Sequence, residues 1–348
     1  MSLPVIDEAR MIEFLSGLLN TPSPTGLAEA GIRYAQDAFA ALPGAELRLT
    51  RKGGLLVRFP GESSAAPCAL TGHVDTLGAM VKQIKPNGRL MLTQLGGYAW
   101  NTIEGEGCRV FTAEGKSIRG SILLTAASTH VYGKKLSDTP RTEETMEVRL
   151  DERVFTAADT EALGIRVGDY VAFDPRVEVT NGFVRSRHLD DKAGVACIYA
   201  AMQALAQAGR KPQRTTYVLV SNYEEVGHGA SAGIPAEVEE LIAVDMAAVG
   251  EGQTSDEFHS TLCVKDSGGP YHHGLSQKLR RLAEEAGIAY KVDIYPYYGS
   301  DGEACWRAGG DVAVALIGPG VDASHNYERT HTDALRATTQ WILAYLLN

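Results

Sequence analysis

The chain has 348 residues, enough for one large domain or two ordinary ones. Hydrophobic residues make up 44% and charged residues 22%, and the formal net charge of -10 comes without a basic block, which excludes a nucleic-acid footprint and a polybasic membrane anchor. No apolar run approaches the roughly 18 residues of a membrane span, and the opening MSLPVIDEAR has no charged-then-apolar signal pattern.

The first element predicted is a helix, because Met11, Ile12, Leu15, Leu18 and Leu19 recur at helical spacing. TPSPTG breaks it, and Leu27 to Leu42 reads as a second helix. AELRLTRKGGLLVRFPG reads as a pair of strands turning at Gly53-Gly54, and PCALTGH as a short buried strand that ends at His73. From about Leu77 to Asp174 the texture changes to short alternating segments with glycines and almost no helical periodicity, which predicts a small all-β, barrel-like insert. The α/β texture returns after Asn181. Val195, Ile198, Tyr199, Met202 and Leu205 form one apolar helical face closed by Gly209. Strands follow at Thr215–Val220, Leu241–Val244 and Val312–Ile317, with helices at Leu275–Ala286 and Ala334–Leu347. The expected fold class is α/β: a mixed-sheet domain built from residues 1–76 and 181–348, interrupted by a β-barrel-like domain at 77–180. The cysteines (Cys68, Cys108, Cys197, Cys263 and Cys305) are scattered and form no CxxC pair. The expectation is a reduced, cytoplasmic chain without a disulfide framework or a thiolate metal site.

In α/β sheets, functional groups collect at the carboxyl ends of strands. CALTG is followed by His73 and Asp75; GFVRSRHL by Asp190 and Asp191; TYVLVSN by Glu224 and Glu225; LIAV by Asp245; and VAVALIGPG by His325 and His331. Each has an ordinary explanation. Glu224-Glu225 can be an acidic loop, Asp190-Asp191 an N-cap pair, and a lone histidine a hydrogen-bonded structural residue. Together they are harder to dismiss, because several like charges gathered in one place need compensation.

Two divalent cations would provide it. Histidine nitrogen and carboxylate oxygen suit zinc, and also cobalt or manganese. A pair of metals about 3.5 Å apart needs a bridging carboxylate, for which Asp190 at a strand-to-helix turn is the natural candidate. His73 and Asp245 can complete one site, and Glu225 and His325 the other. Asp75 can accept the ring N–H of His73 and fix its tautomer. Glu224 is then left beside the water as general base, and Gly227 and Gly229 let the backbone turn at the site.

GHVDTLGAMV, RHLDDKAGVA, NYEEVGHGAS, AVDMAA, YGSDGEA and SHNYERTH, in this order, resemble the glutamyl and deblocking aminopeptidases of peptidase family M forty-two. That family includes the tetrahedral aminopeptidase particles and some members carrying a cellulase name. The resemblance covers nearly the whole chain, including the β insert and its LGIRVGDYVAFDP segment. It implies a dinuclear metal site of His73, Asp190, Glu225, Asp245 and His325 with Asp190 bridging, Glu224 as general base, and homo-oligomers in which dimers paired through the insert build up to a dodecamer. This chain departs from the family pattern at Thr76, where a glutamate is usual, and in VDASHNYERTH, where members tend to read Arg-Tyr-x-His. Both His325 and His331 are therefore candidate ligands, with His325 the better placed relative to the helix expected near Ala334. His272 and His273 in GGPYHHGLSQ either line the substrate pocket or sit in an exposed loop.

The function expected is removal of the N-terminal residue from short peptides by a dinuclear metal-dependent aminopeptidase. Thr76 and the altered final motif keep open a related metal hydrolase of acylated amino acids or modified dipeptides. A glycoside hydrolase fits worse, because adjacent Glu224 and Glu225 cannot easily flank one glycosidic bond. A non-catalytic protein that keeps the fold fits worse still, since every expected ligand type is present.

Overall fold

A computed structural model of the protein describes residues 2–348. The described residues form two compact units, one built from residues 2–75 and 176–348 and the other from residues 76–175.

The larger unit is organised on a mixed sheet. Its strands run in the order Glu46–Leu49, Leu55–Phe59, Arg214–Ser221, Ser63–His73, Glu240–Val244, Ala313–Asp322, Glu328–His331, Phe183–Ser186 and Glu178–Thr180. Ser260–Asp266 extends it by pairing antiparallel with Ala313–Asp322, and Tyr290–Ile294 in turn pairs parallel with Ser260–Asp266. The four central strands from Arg214–Ser221 to Ala313–Asp322 are mutually parallel. Their apolar runs are buried on both faces, as parallel strands covered by helices require. Ser221 pairs with His73 and Ala243 with Thr71. The register therefore releases the chain from adjacent strands at nearly the same level, along one edge.

Helix Leu189–Gln207 is buried along almost its whole length beneath this sheet. Its carboxyl end is closed by Gly209 at φ 61°, a left-handed position that suits glycine. Helices Glu8–Leu19 and Thr332–Leu346 pack with it in one core, in which Trp341 is fully buried and its indole N–H donates to the Leu279 carbonyl at 2.9 Å. Lys192 is also fully buried. Its ammonium donates to the carbonyls of Leu18 and Thr21 at 2.9 and 2.7 Å, which ties off the first helix, and burial pushes its pKa down to about 7.

The smaller unit is a closed six-stranded antiparallel barrel in the strand order Gly78–Ile84, Leu90–Leu95, Met146–Leu150, Ser117–Leu124, Gly107–Phe111 and Tyr170–Phe173. Alternation sets its inside, since Ile118, Gly120, Ile122 and Leu124 face the core while their neighbours face outward. Closure removes the free sheet edges. The unit also carries short helices at Thr129–Tyr132, Lys134–Asp138 and Ala157–Ala162. These are too brief for helical periodicity to announce them, and the last is set by a Thr156–Asp159 capping box. Among the described residues, no helix is long and apolar enough to cross a membrane.

Candidate metal centre

The predicted groups that converge do so at the carboxyl edge of the parallel strands. His73 ends its strand with 1% of its surface exposed. Its ring Nδ1 lies 2.9 Å from the Asp75 carbonyl oxygen. A carbonyl only accepts, so Nδ1 carries the proton and Nε2 turns toward Asp190 Oδ1, 3.2 Å away. The tautomer is thus set by the Asp75 backbone, and the Asp75 carboxylate lies farther from the ring, at 3.6 Å. That carboxylate accepts instead from the Thr25 hydroxyl at 2.8 Å and from the backbone N–H groups of Glu224 and Glu225 at 3.2 and 3.4 Å. Asp75 therefore shapes the turn that carries the paired glutamates.

Asp190 lies between two histidines. Its Oδ1 faces His73 Nε2, and its Oδ2 lies 3.4 Å from His325 Nε2 while accepting from the Ser324 hydroxyl at 3.2 Å. Asp191, joined to it by a cis peptide bond, has a different task. Its carboxylate accepts from the His73 N–H at 3.2 Å and from the Gly194 N–H at 3.1 Å, holding strand end and helix start together. The adjacent glutamates diverge as well. Glu224 Oε2 is 3.7 Å from His73 Nε2, and Glu225 Oε2 is 3.5 Å from His325 Nε2. Asp245 follows strand Glu240–Val244, and one of its oxygens lies within 4.8 Å of ligand atoms of both His73 and Asp190. Gly318 lets the Asp245 main chain lie against the neighbouring strand, because a Cβ there would meet the Asp245 carbonyl oxygen at 1.6 Å. Tyr223 and His325, neither of them glycine, both adopt positive φ (75° and 64°). Such backbone positions cluster where surrounding structure holds a site in shape.

The other candidate histidines lie elsewhere. His331 caps the last helix, its Nδ1 accepting from the Asp333 N–H at 3.1 Å, and its ring packs against Phe183 and Phe258. His272 caps helix His273–Ala286 in the same way through the Leu275 N–H, and His273 is exposed at its first position.

Two buried acidic residues that the sequence did not single out support the centre. Glu328 accepts from the Asp190 N–H at 3.1 Å and the His325 N–H at 3.0 Å, fixing both backbones at once. Asp301 accepts from the Thr71 and Ser221 hydroxyls and, at 2.7 Å, from the Ala230 N–H. It holds the base of the loop that presents Glu224 and Glu225. Each sits inside a quoted motif, SHNYERTH or YGSDGEA. An acidic residue within a polar segment gives no sign of burial, however.

The electrostatics are those of a crowded anionic centre. Burial first, and then neighbouring charges, drive the Glu224 and Glu225 carboxyls well above the usual range. The same causes push Asp245 up to about 7, with Asp190 the main neighbour, and Glu328 up to about 8. Burial also acts to raise Asp190, but hydrogen bonds from His325 and His73 hold it well below the carboxylate range. Burial acts to lower His73, yet Asp190 and the surrounding carboxylates raise it well above its usual value. The donor set contains only imidazole nitrogen and carboxylate oxygen, and ligand atoms of His73, Asp190 and Asp245 all lie within 4.8 Å of one another. Divalent cations fit it and would relieve the repulsion.

A cavity of about 450 Å³ opens on this cluster. Asp190, Glu224, Glu225, Asp245 and His325 form its polar floor, and Met246, Ala248, Tyr297 and Tyr298 are among its other walls.

The sequence profile of the family described as M42 glutamyl aminopeptidase matches residues 53–341. The chain is 47% identical over 338 residues, 97% of each chain, to the Bacillus subtilis (strain 168) protein YhfE, which is named as a candidate aminopeptidase. Its fold is similar to a TET aminopeptidase from a marine sediment archaeon of the Thaumarchaeota, with a TM-score of 0.87 over 97% of both chains at 17% identity. It is also similar to the Pyrococcus horikoshii TET1 peptidase, which can assemble into a tetrahedron or a large octahedral shell. That match has a TM-score of 0.84 over 97% of this chain and 99% of the other, at 21% identity.

Proposed function

The chain belongs to the M42 glutamyl aminopeptidase family, and from that premise we propose a dinuclear metal-dependent aminopeptidase that removes the N-terminal residue of short peptides, with Glu224 as general base. His73 and Asp245 would hold one ion, Glu225 and His325 the other, and Asp190 both. Such ions supply Lewis-acid polarisation of the scissile carbonyl and make water a competent nucleophile near neutral pH.

The observation that carries this reading is the placement of Asp190, with one carboxylate oxygen 3.2 Å from His73 Nε2 and the other 3.4 Å from His325 Nε2. Glu224 stands beside His73 without a partner role in that pair of sites. Its carboxylate takes a proton from the attacking water and returns it to the amine that leaves. The Asp75 carboxylate, by accepting from both glutamate N–H groups, orients the base and its neighbouring ligand together.

Glu224→Gln tests the reading. Metal content should be retained while kcat falls by about 100-fold or more. Retention of most of the activity would remove Glu224 from the role. A panel pairing free aminoacyl amides with their N-acetyl counterparts separates aminopeptidase action from hydrolysis of acylated substrates, and chelator-resistant release of reducing sugar would favour glycosidase action. Zinc is the first metal to supply, with cobalt and manganese as alternatives that share these ligands. A homo-oligomer built from dimers, as large as a dodecamer, and a cytoplasmic location complete the proposal; light scattering on the purified protein tests the assembly.

A further inference from the structure

The cavity over the centre has a chemical character that the aminopeptidase reading alone does not specify. Its charged floor is fully committed, with Asp190, Glu225 and Asp245 as assigned ligands and Glu224 as the base. What remains for a substrate side chain to touch is chiefly Gly227, Met246, Ala248, Tyr297, Tyr298 and Gly299. Among the described residues that line the cavity there is no lysine or arginine.

We infer that this cavity receives the side chain of the substrate's N-terminal residue and selects a large, uncharged, apolar one. The inference rests on the aminopeptidase reading and adds the substrate class to it.

Three features carry it. First, no lysine or arginine among the lining residues can pair a glutamyl or aspartyl side chain, and an uncompensated charge is costly to desolvate. Among the lining residues, a lysyl ammonium would find no carboxylate outside the assigned ligands and base. Second, the polar atom of the Tyr298 side chain is already used. Its hydroxyl donates to the Met246 carbonyl at 2.8 Å, so it offers a ligand its ring and no free donor. Third, the walls leave space. A Cβ at Gly227 would meet nothing within 4 Å, and one at Gly299 would have Glu303 Oε2, at 4.0 Å, as its nearest neighbour. Bare glycine walls beside methionine and tyrosine suit a leucyl, methionyl or phenylalanyl side chain better than an alanyl one.

The test uses metal-loaded full-length protein and aminoacyl p-nitroanilides of Leu, Met, Phe, Ala, Glu and Lys. The kcat/KM values for Leu, Met or Phe should exceed those for Glu and Lys by about tenfold or more. Gly299 has room for a side chain and no positive φ to forbid one. Gly299→Arg should therefore raise the Glu-to-Leu ratio of kcat/KM by about tenfold through direct pairing with the acidic side chain. A wild-type preference for Glu or Lys would overturn the inference and leave the aminopeptidase reading standing. Inactivity on every substrate would instead fail that reading. Binding of free L-leucine and L-glutamate to the metal-loaded protein, followed by calorimetry, answers independently of turnover. Tighter L-leucine supports the pocket assignment, and tighter L-glutamate overturns it.

Discussion

Removing the Asp301 carboxylate should loosen the catalytic loop before it unfolds the domain. Asp301 is 2% exposed and accepts from three buried donors, the Thr71 hydroxyl, the Ser221 hydroxyl and the Ala230 N–H. Ser221 and Ala230 bracket the turn that carries Glu224 and Glu225, so one carboxylate pins both ends of it. Hydrogen bonds to a charged group contribute about 1.5–3 kcal/mol each, and a buried donor left unpaired costs about 1–3 kcal/mol. Allowing the Thr71 hydroxyl to find another partner, Asp301→Ala should cost about 5 kcal/mol, or a fall in Tm of about 10 °C for a domain of this size. Asp301→Asn should be milder. Its amide oxygen still accepts from the Ala230 N–H, and its NH2 group can donate to the two hydroxyls once they turn round, so the cost is about 1–2 kcal/mol. Displacing the catalytic pair by about 1 Å should reduce kcat about 100-fold in the alanine variant, with a much smaller loss in the asparagine variant. Thermal melts and steady-state kinetics on metal-loaded protein read both effects. An alanine variant that melts within 2 °C of the parent and keeps half its kcat would refute the clamp.

His325→Ala should lose bound metal, measured by elemental analysis. His331→Ala should keep it and lose the helix cap together with the ring contacts to Phe183 and Phe258, about 1–2 kcal/mol of stability by chemical denaturation. Chelation should lower Tm and metal restore it, since a ligand that binds only the folded state at 100 times its Kd adds about 2.7 kcal/mol. The Glu303 carboxyl is pushed up to about 7 by burial and by neighbouring Asp266, with Arg307 opposing. Folding therefore favours its protonated form. That contribution is fully present below its ordinary value of 4.5 and is lost as pH rises through about 7. Glu303→Gln should flatten the Tm profile across that window, and an unchanged slope would assign the titration elsewhere. Gly318→Ala should destabilise by about 3 kcal/mol or more, because its Cβ would collide with the Asp245 carbonyl at 1.6 Å; an urea midpoint equal to the parent's would contradict that contact.

The sequence made the architecture readable where periodicity is long. The helix face from Val195 to Leu205, the run Thr215–Val220 and the alternation in the β insert each occur as elements of the expected kind. Short or polar elements were less visible. Strands Ser260–Asp266, Tyr290–Ile294 and Glu328–His331, and helix Asp301–Arg307, were not anticipated. Each is too brief or too mixed in polarity to stand out from a loop until neighbouring strands supply its hydrogen bonds and cover its face. The second helix runs Glu29–Ala40, shorter at both ends than the apolar pattern from Leu27 to Leu42, a normal consequence of fraying and weak capping.

By itself, the sequence determined which residue types arrive at the ends of the central strands: histidine, aspartate and paired glutamates, with no cysteine among them. That restricts the chemistry to nitrogen and oxygen ligands, because donor softness belongs to the side chain and not to its surroundings. Only the tertiary structure decided what each does. The parallel register brings the strand ends at His73 and Val244 to one edge, and the start of helix Leu189–Gln207 sets Asp190 beside His73 and Asp245. The left-handed backbone at His325 and the Glu328 bridge set that imidazole against Asp190, while His331 a few residues on is consumed as a helix cap. Side chains of the same kind in one short segment take different roles because burial, register and the available partners are properties of the assembled fold.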